Sequence, residues 1–378
     1  MSIKTIICWH AAVEPAYRKL FSEMAALGVD VSLITPEQWR EGGRNQAYLP
    51  GLSDNYKTIA LKTVFKNHVR AFFYPNVVKI AGELRKAEII YIMEEPFSLA
   101  AYQFIRLKRL VGSQAKVILF SFENIDIPQR FPYSKFQEFN LNQADALVSV
   151  PGEGVGLWRK RGFKGKIYHL PIGVDDEIFH RGGNVPESMI GAAAGDRFKI
   201  GYVGRIVREK GLETLLCALE ILKKRKRSCV LSLIGNGDYK SGLLKKAEEK
   251  GVTVCFLDAV NPRELPAFYS HINALVLPSE TTAFWKEQFG RVIVEAMACE
   301  TPVIGSSSGE IPQVIGDAGL IFPEGDSKSL ADLLERLILD RDLCRQLGEK
   351  GKKRALEQFT WKAVARKLTD MFSELLAA

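Results

Sequence analysis

The first half of the chain alternates short apolar runs, rich in β-branched residues, with stretches that repeat apolar residues at helical spacing. Two of the helical stretches are Tyr17–Leu27 and Pro96–Val111. The apolar runs are Thr5–Cys8, Val29–Ile34, Ile89–Met93, Val117–Ser121, Ala146–Val150 and Ile167–His169. Alternation of this kind is typical of α/β units built around a mostly parallel sheet. We therefore predict one Rossmann-like domain over residues 1–171.

The second half repeats this pattern after a stretch rich in glycine and alanine, residues 182–196, which we predict to be a surface connection. Its apolar runs are Phe198–Val203, Val230–Ile234, Val254–Leu257, Ala274–Leu277, Val303–Gly305 and Leu320–Phe322. They predict a second doubly wound α/β domain over residues 172–359. Thr360 is a candidate N-cap for a last helix, Trp361–Leu376.

Composition agrees with a folded protein of two domains. The chain has 378 residues, of which 47% are hydrophobic and 25% charged. Six single cysteines form no C-x-x-C pair or His/Cys cluster, so we expect neither a disulfide framework nor a zinc site. We find no signal peptide and no apolar stretch long enough to span a membrane, and predict a cytoplasmic protein.

The net charge of +8 lies entirely in the N-terminal half. Residues 1–166 contain 23 Lys and Arg against 15 Asp and Glu. Within them, residues 57–86 interleave basic side chains with Phe65, Phe72, Phe73 and Tyr74. Such a segment could contact an anionic membrane at its inner face or a lipid-linked acceptor. The alternative is a solvated helix face with its aromatic rings packed inward, although Pro75 argues against one continuous helix.

The most informative segment, residues 282–323, places Glu287 and Glu295 eight positions apart around Gly290. If a helix begins at Gly290, the backbone N–H groups of Phe289, Gly290 and Arg291 are helix-start donors that suit a pyrophosphate. The two carboxylates would hold hydroxyl groups at the same time. This combination suits a nucleotide-sugar.

These residues resemble the E-x7-E signature of retaining glycosyltransferases of the GT-B fold, particularly the large family 4. The resemblance continues over residues 302–323 and extends upstream to residues 201–211, 233–238 and 275–279. Residues 169–175 take the place of the family's interdomain linker, with Ile172 where asparagine is usual. The resemblance implies two Rossmann-like domains that face each other across a cleft, with the last helix, 360–378, packed back on the first.

The resemblance also implies roles for individual residues. Arg205 and Lys210 would contact the donor pyrophosphate, Glu295 the ribose hydroxyls, and Glu287 the transferred sugar. Further donor contacts are expected at Gly204, Gly235, Asn236, Gly237, Asp258, Phe289, Gly290 and Arg291. For any one of these positions alone, a surface cation, a glycine turn or a helix-surface glutamate would be the ordinary interpretation.

The N-terminal half departs from the family more. Its first loop, residues 8–15, lacks the glycine pair of the family, and residues 121–124 have no histidine close to the sugar. Glu123 or Asn124 would take over that catalytic position. Glu94, Glu95 and His10 are candidates for acceptor binding, although a lone histidine such as His10 is more often structural.

The resemblance implies sugar transfer from a nucleotide diphosphate sugar to a sugar, glycan or lipid-linked acceptor, with retention and without a metal or other cofactor. We expect no nucleic-acid partner. A GT-B epimerase or hydrolase and an inactive nucleotide-sugar-binding subunit are the alternatives. An oxidoreductase is disfavoured because no G-x-G-x-x-G follows either first strand.

Overall fold

The chain divides into two units, Met1–Gly173 with Trp361–Ala378, and Val174–Thr360. The computed structural model describes all residues except 1, 42–43, 52–53, 184–188, 190–194 and 259. The division falls two residues beyond the boundary expected from the sequence. The expected surface connection over residues 182–196 lies largely outside the described residues.

The first unit is built on a seven-stranded parallel sheet of order β5-β2-β1-β6-β7-β8-β9. Its strands are β1 (Ile3–Cys8), β2 (Val29–Pro36), β5 (Lys57–Leu61), β6 (Ile89–Ile92), β7 (Lys116–Ser121), β8 (Ala146–Ser149) and β9 (Lys166–His169). An antiparallel hairpin follows β2, made of β3 (Gln38–Glu41) and β4 (Arg44–Ala47). The helices are α1 (Pro15–Ala26), α2 (Val77–Leu84), α3 (Leu99–Leu110), α4 (Tyr133–Gln143) and α5 (Glu153–Lys160).

The second unit is built on a six-stranded parallel sheet of order β12-β11-β10-β13-β14-β15. Its strands are β10 (Phe198–Val203), β11 (Cys229–Ile234), β12 (Val254–Leu257), β13 (Ala274–Leu277), β14 (Val303–Ser306) and β15 (Leu320–Phe322). Its helices are α6 (Leu212–Lys224), α7 (Lys240–Lys250), α8 (Leu265–His271), α9 (Arg291–Ala298), α10 (Ile311–Ile315), α11 (Ser327–Leu339) and α12 (Arg341–Gln358). The prediction of two α/β domains with parallel sheets is confirmed.

The last helix, α13 (Trp361–Ala377), packs on α1 of the first unit. The indole N–H of Trp361 donates to the carbonyl of Ala16 at 3.2 Å, and Phe372 contacts Tyr91 of β6 with ring centroids 6.0 Å apart. A Cβ atom at Gly173 would lie 2.3 Å from the Trp361 ring. Glycine is therefore required where the outgoing chain passes the returning helix.

The basic and aromatic segment over residues 57–86 does not form one helix. Its first residues form β5 at the edge of the sheet, and α2 begins only after Pro75. Phe72 and Tyr74 are completely buried, whereas the side chain of Phe65 is 64% exposed. The inward packing of aromatic rings therefore holds for part of the segment, in the loop between β5 and α2 rather than on a helix.

Among the described residues, no helix combines the length and the apolar character that crossing a membrane requires.

Candidate functional site

The candidate donor residues follow the strands of the second sheet. Because β10, β11, β13 and β14 run parallel, the loops that follow them lie at one edge of the sheet, where ligands of open α/β sheets bind. Arg205 follows β10, and its side chain is exposed. Its carbonyl accepts a hydrogen bond from the buried Tyr202 hydroxyl at 2.6 Å, which fixes the backbone at this point.

Two of the glycines predicted to contact the donor also pack against each other. Gly204 and Gly235 have φ values of +150° and +147°. A Cβ atom at Gly235 would lie 1.9 Å from the carbonyl oxygen of Gly204, and one at Gly237 would lie 2.1 Å from that of Ile206. The loops after β10 and β11 therefore touch backbone to backbone, and a side chain there would force them apart.

Lys210 and Glu287 form an ion pair. The ammonium Nζ of Lys210 lies 2.6 Å from Oε2 of Glu287, and both side chains are about nine-tenths buried. The hydroxyl of Ser279 donates to the same carboxylate oxygen at 2.8 Å, and the Lys210 ammonium lies 4.6 Å from the centre of the Trp285 ring. The predicted phosphate-binding cation and sugar-binding carboxylate therefore lie side by side.

Glu295 lies on α9 and is 3% exposed. The hydroxyl of Tyr269 donates to its Oε2 at 2.8 Å, and the Nε of Arg291 lies 2.9 Å from Oε1. Burial, reinforced by the Glu295 carboxylate, raises the pKa of Tyr269 well above its usual value, so this hydroxyl stays protonated and donates. The Glu295 carboxylate is thus held in place by two donors.

The start of α9 is fixed by glycine and by a neighbouring loop. Gly290 has a left-handed φ of +80°, and α9 begins one residue later at Arg291, next to the buried Phe289. The backbone N–H of Glu310 donates to the carbonyl of Glu287 at 3.1 Å. Glu287 therefore lies in a loop just before the helix, as the sequence predicts, and the loop that contains Gly309 lies against it.

Two other predicted donor residues lie at the surface. Asp258 is exposed and pairs with Lys240 at 2.9 Å. Asn236 is exposed, and its Oδ1 accepts from the backbone N–H of Gly237 at 2.9 Å. Ala259, beside Asp258, lies outside the described residues.

In the first unit, His10 and Glu94 meet at the ends of β1 and β6. The backbone N–H of His10 donates to Oε1 of Glu94 at 2.7 Å, and its ring Nδ1 lies 2.7 Å from Oε2. Glu94 is 3% exposed, whereas part of the His10 ring faces solvent. The buried carboxylate therefore fixes both the backbone and the ring of His10.

Glu95 points toward the end of β7 instead. Its carboxyl accepts from the Ser121 hydroxyl at 2.6 Å and from the backbone N–H of Phe122 at 2.7 Å. Burial, with a smaller effect of the nearby Glu123 carboxylate, raises the pKa of Glu95 to about 8. A protonated carboxyl group therefore lies at this edge of the sheet near neutral pH.

Glu123 pairs with Arg161, whose Nη1 lies 3.2 Å from its carboxylate. Burial raises the pKa of Glu123, and Arg161 opposes that shift. Asn124, the other candidate for the missing histidine, follows it and is partly buried.

Sequence reasoning did not assign roles to Ser279, Trp285, Tyr269 and Ser121, which hold the predicted charged residues in place. Ser279 lies within residues 275–279, a segment that carries the family resemblance. That resemblance could therefore have pointed to Ser279 as a site residue. Nothing in the sequence marks Tyr269, because its contact with Glu295 depends on how α8 packs on α9. Within the described residues, no three His, Cys, Asp or Glu side chains are grouped to hold a metal ion.

Comparison with known proteins first establishes the class of fold. The chain is similar to the solved structure of HepE from Anabaena in complex with UDP and glucose, with a TM-score of 0.68 and 16% identity over 98% of this chain and 99% of HepE. Two parallel-sheet domains with this likeness define the GT-B fold.

Within this class, the chain is similar to the group 1, or family 4, type of glycosyltransferase. Residues 188–354 match the family described as glycosyl transferases group 1. The chain is 32% identical over 211 residues to the capsular polysaccharide biosynthesis glycosyltransferase CapM of Staphylococcus aureus, covering 54% of this chain and 53% of CapM. The predicted resemblance to group 1 glycosyltransferases of the GT-B fold is confirmed.

A second relative is the GDP-mannose-dependent alpha-(1-6)-phosphatidylinositol monomannoside mannosyltransferase of Mycobacterium tuberculosis. It is 30% identical over 214 residues, covering 53% of this chain and 54% of the relative. The matched part of the chain thus spans about half the length of these curated relatives.

Proposed function

We propose that this protein is a retaining, metal-independent glycosyltransferase that moves a sugar from a nucleotide diphosphate sugar to an acceptor hydroxyl. The observation that carries the proposal is the Lys210–Glu287 pair at the carboxyl edge of the second sheet. An ammonium group and a carboxylate in contact can bind two parts of one donor molecule. The ammonium binds the diphosphate, and the carboxylate binds the sugar.

The ion pair leaves both groups able to bind. Lys210 has three N–H donors and Glu287 has two oxygens, so each can keep its partner and still contact a ligand. The ammonium would bind a diphosphate oxygen while the Glu287 carboxylate accepts from a sugar hydroxyl. Glu295, held by Tyr269 and Arg291, would accept from the ribose hydroxyls.

In the proposed reaction the acceptor oxygen bonds to the anomeric carbon on the face from which the diphosphate departs. The bond between that carbon and the phosphate oxygen breaks, and the leaving oxygen takes the proton of the acceptor hydroxyl. Arg205, Lys210 and the N–H groups at the start of α9 stabilise the negative charge that develops on the diphosphate. Fixed cations in these positions stabilise the charge of the leaving diphosphate, which is the role of magnesium in other enzymes.

Two findings on relatives support a nucleotide-sugar donor without fixing its base. HepE binds UDP, and the mycobacterial relative depends on GDP-mannose. CapM acts in capsular polysaccharide biosynthesis, which supports a pathway of polysaccharide, lipopolysaccharide or glycoconjugate synthesis.

We also propose that the first unit contacts an anionic membrane that carries the acceptor. Over residues 62–79, Val69 and Val78 are exposed beside the exposed basic side chains of Lys62, Arg70 and Lys79. Apolar and basic side chains exposed together suit the surface of an anionic bilayer.

Thermal stabilisation tests the donor site. We expect one of UDP, GDP, ADP, CMP or their sugar conjugates to raise the unfolding midpoint, because a ligand at a hundred times its dissociation constant adds about 2.7 kcal/mol. Arg205→Ala should reduce this stabilisation. Arg109→Ala, an exposed arginine of the first unit, should not.

Turnover then separates the proposal from its alternatives. Glu287→Ala should abolish transfer while the variant still folds and unfolds cooperatively. Donor breakdown or epimerisation without any acceptor would support the epimerase or hydrolase. Nucleotide binding without sugar transfer to any acceptor tested would support the inactive binding subunit. Normal transfer by Glu287→Ala would overturn the site assignment.

A further inference from the structure

A cavity of about 330 Å³ lies beside the β3–β4 hairpin in the first unit. Apart from Ala47, its lining side chains are Gln38, Trp39, Asn45, Gln46, Lys66 and Asn67. Four of these six carry carboxamide groups and one is an indole. The chemistry of the lining is therefore polar but mostly uncharged, and the volume is at the small end of ordinary ligand sites.

The floor of the cavity is rigid. Trp39 is 3% exposed and packs against two rings, those of His10 at 4.7 Å and Phe72 at 4.9 Å between centroids. Phe72 is itself completely buried in the core of the unit. The hairpin is thus anchored to the sheet through Trp39, so the cavity wall does not depend on a ligand for its shape.

Two amide side chains of the lining are held in place by hydrogen bonds within the unit. Asn67 Oδ1 accepts from the backbone N–H of Arg40 at 2.6 Å, and Gln46 Nε2 donates to Oε2 of Glu14 at 2.6 Å. The first bond uses the amide oxygen of Asn67, and the second uses the amide nitrogen of Gln46. The nitrogen of Asn67 and the oxygen of Gln46 are the atoms that a ligand would meet.

A donor and an acceptor presented together suit hydroxyl groups, each of which both donates and accepts. Lys66 adds further N–H donors. An anion such as phosphate would call for several cations, and Lys66 is the one cation among the described side chains that line the cavity. The lining therefore favours a carbohydrate over a phosphate group.

The cavity adjoins the predicted acceptor residues. Trp39 packs against His10, and His10 is held by Glu94 at the carboxyl ends of β1 and β6. The hairpin itself follows the carboxyl end of β2. Cavity and acceptor residues thus share one edge of the first sheet.

We propose that this cavity binds a carbohydrate residue, and that this residue belongs to the acceptor. The second part rests on the proposed function, whereas the first part does not. The acceptor would then be a glycan or glycolipid that presents a sugar to the hairpin while another of its hydroxyls reacts. The β3–β4 hairpin would select acceptors by the hydroxyl pattern of that sugar.

Saturation-transfer NMR on the intact protein tests the binding. The probes are the methyl glycosides of mannose, glucose, galactose, N-acetylglucosamine and glucuronic acid. We expect saturation transfer to at least one of them. Gln46→Ala and Asn67→Gly should each weaken its binding about fivefold or more, the effect of one lost hydrogen bond.

The two variants are chosen so that the fold survives. Asn67 has a left-handed φ of +69°, which glycine adopts readily, and Gln46 is a partly exposed side chain. Gln114→Ala removes an exposed amide elsewhere in the unit and should leave glycoside binding unchanged. Equal thermal unfolding midpoints would show that the variants fold.

Absence of saturation transfer to every glycoside, or equal transfer in wild type and both variants, would overturn the carbohydrate site. A nucleotide titration of the same variants reports separately on the donor site. If glycosides bind in the cavity and no nucleotide stabilises the protein, the proposed transferase function fails while the sugar site stands.

Discussion

Glu95 holds a proton at a pH at which an ordinary glutamate has lost it. Its pKa of about 8 results mainly from burial, and its hydrogen bonds from Ser121 and Phe122 only partly offset that effect. The unfolded chain ionises this group near its ordinary pKa of about 4.3. Between these two values the native state binds one more proton, so stability falls as pH rises.

Glu95→Gln should remove this pH dependence. Glutamine has the same shape as the protonated carboxyl, and its oxygen can still accept from the Phe122 N–H. Its nitrogen can donate to the Ser121 hydroxyl oxygen, which then accepts where it donates to Glu95 in the wild type. We expect the variant to be more stable than wild type at pH 8 and to lose the decline between about pH 5 and 8. Chemical denaturation across this range measures both effects.

Glu138→Gln is the matched control, because Glu138 is exposed and pairs only across the surface with Lys135. Its stability should follow the wild-type curve. Parallel pH curves for wild type and Glu95→Gln would show that Glu95 is ionised in the native state.

At this scale the sequence placed Lys210 and Glu287 at the carboxyl edge of the second sheet but did not predict that they pair with each other. Glu287 has a lysine, Lys286, as its immediate neighbour in the chain. The structure pairs Glu287 with Lys210, 77 positions away. That contact depends on the course of two loops after β10 and β13, which residue spacing does not encode.

Among the elements, α9 depends on a glycine at its start. Gly290 has a φ of +80°, and a Cβ atom there would lie 3.0 Å from Ile293 Cδ1 and 3.1 Å from a methyl of Leu277. Gly290→Ala should therefore destabilise the protein by about 1–2 kcal/mol, the cost of a left-handed conformation for a residue with a Cβ. Denaturant unfolding measures the difference.

Gly82→Ala is the same substitution, but we expect it to have the opposite effect on stability. Gly82 lies inside α2, and an added Cβ meets nothing within 4 Å. Alanine should stabilise the protein there by about 0.5–1 kcal/mol. If Gly290→Ala were as stable as wild type, the backbone conformation assigned to the start of α9 would be wrong.

The elements that the sequence predicted are those whose residues show a clear pattern of apolar positions. Strands buried on both faces, such as β1, β7 and β10, show as unbroken β-branched runs and were predicted within a few residues. The edge strand β5 and the hairpin strands β3 and β4 were missed. Apart from the buried Trp39 and Leu61, the residues of these strands whose burial is described are partly or fully exposed, and the two hairpin strands are mostly polar, so their sequences resemble loops. Because the hairpin strands were missed, the proposed sugar cavity beside them was not predicted either.

For the molecule as a whole, the excess positive charge belongs to the first unit. If residues 62–79 contact a membrane, Lys79→Glu should weaken binding to anionic vesicles about tenfold or more, because each basic residue near the surface contributes about 1 kcal/mol. Co-sedimentation with vesicles of phosphatidylcholine, with and without phosphatidylglycerol, measures the binding.

Lys353→Glu makes the same charge change on an exposed lysine of the second unit. It should leave vesicle binding close to wild type. Equal losses in the two variants would point to net charge rather than to residues 62–79, and the absence of any binding to anionic vesicles would rule out the membrane contact.

The packing of α13 on α1 has a consequence for the order in which the protein folds. The first unit contains residues from both sides of Val174–Thr360, so the whole second unit is synthesised before α13 exists. Until then the side chains that Trp361 and Phe372 later cover, Tyr17 and Tyr91, face the surroundings of the nascent chain. Domains usually fold as they leave the ribosome, beginning with the first. Here the first unit is the first to be synthesised, but it can complete its fold only after the whole second unit has been synthesised.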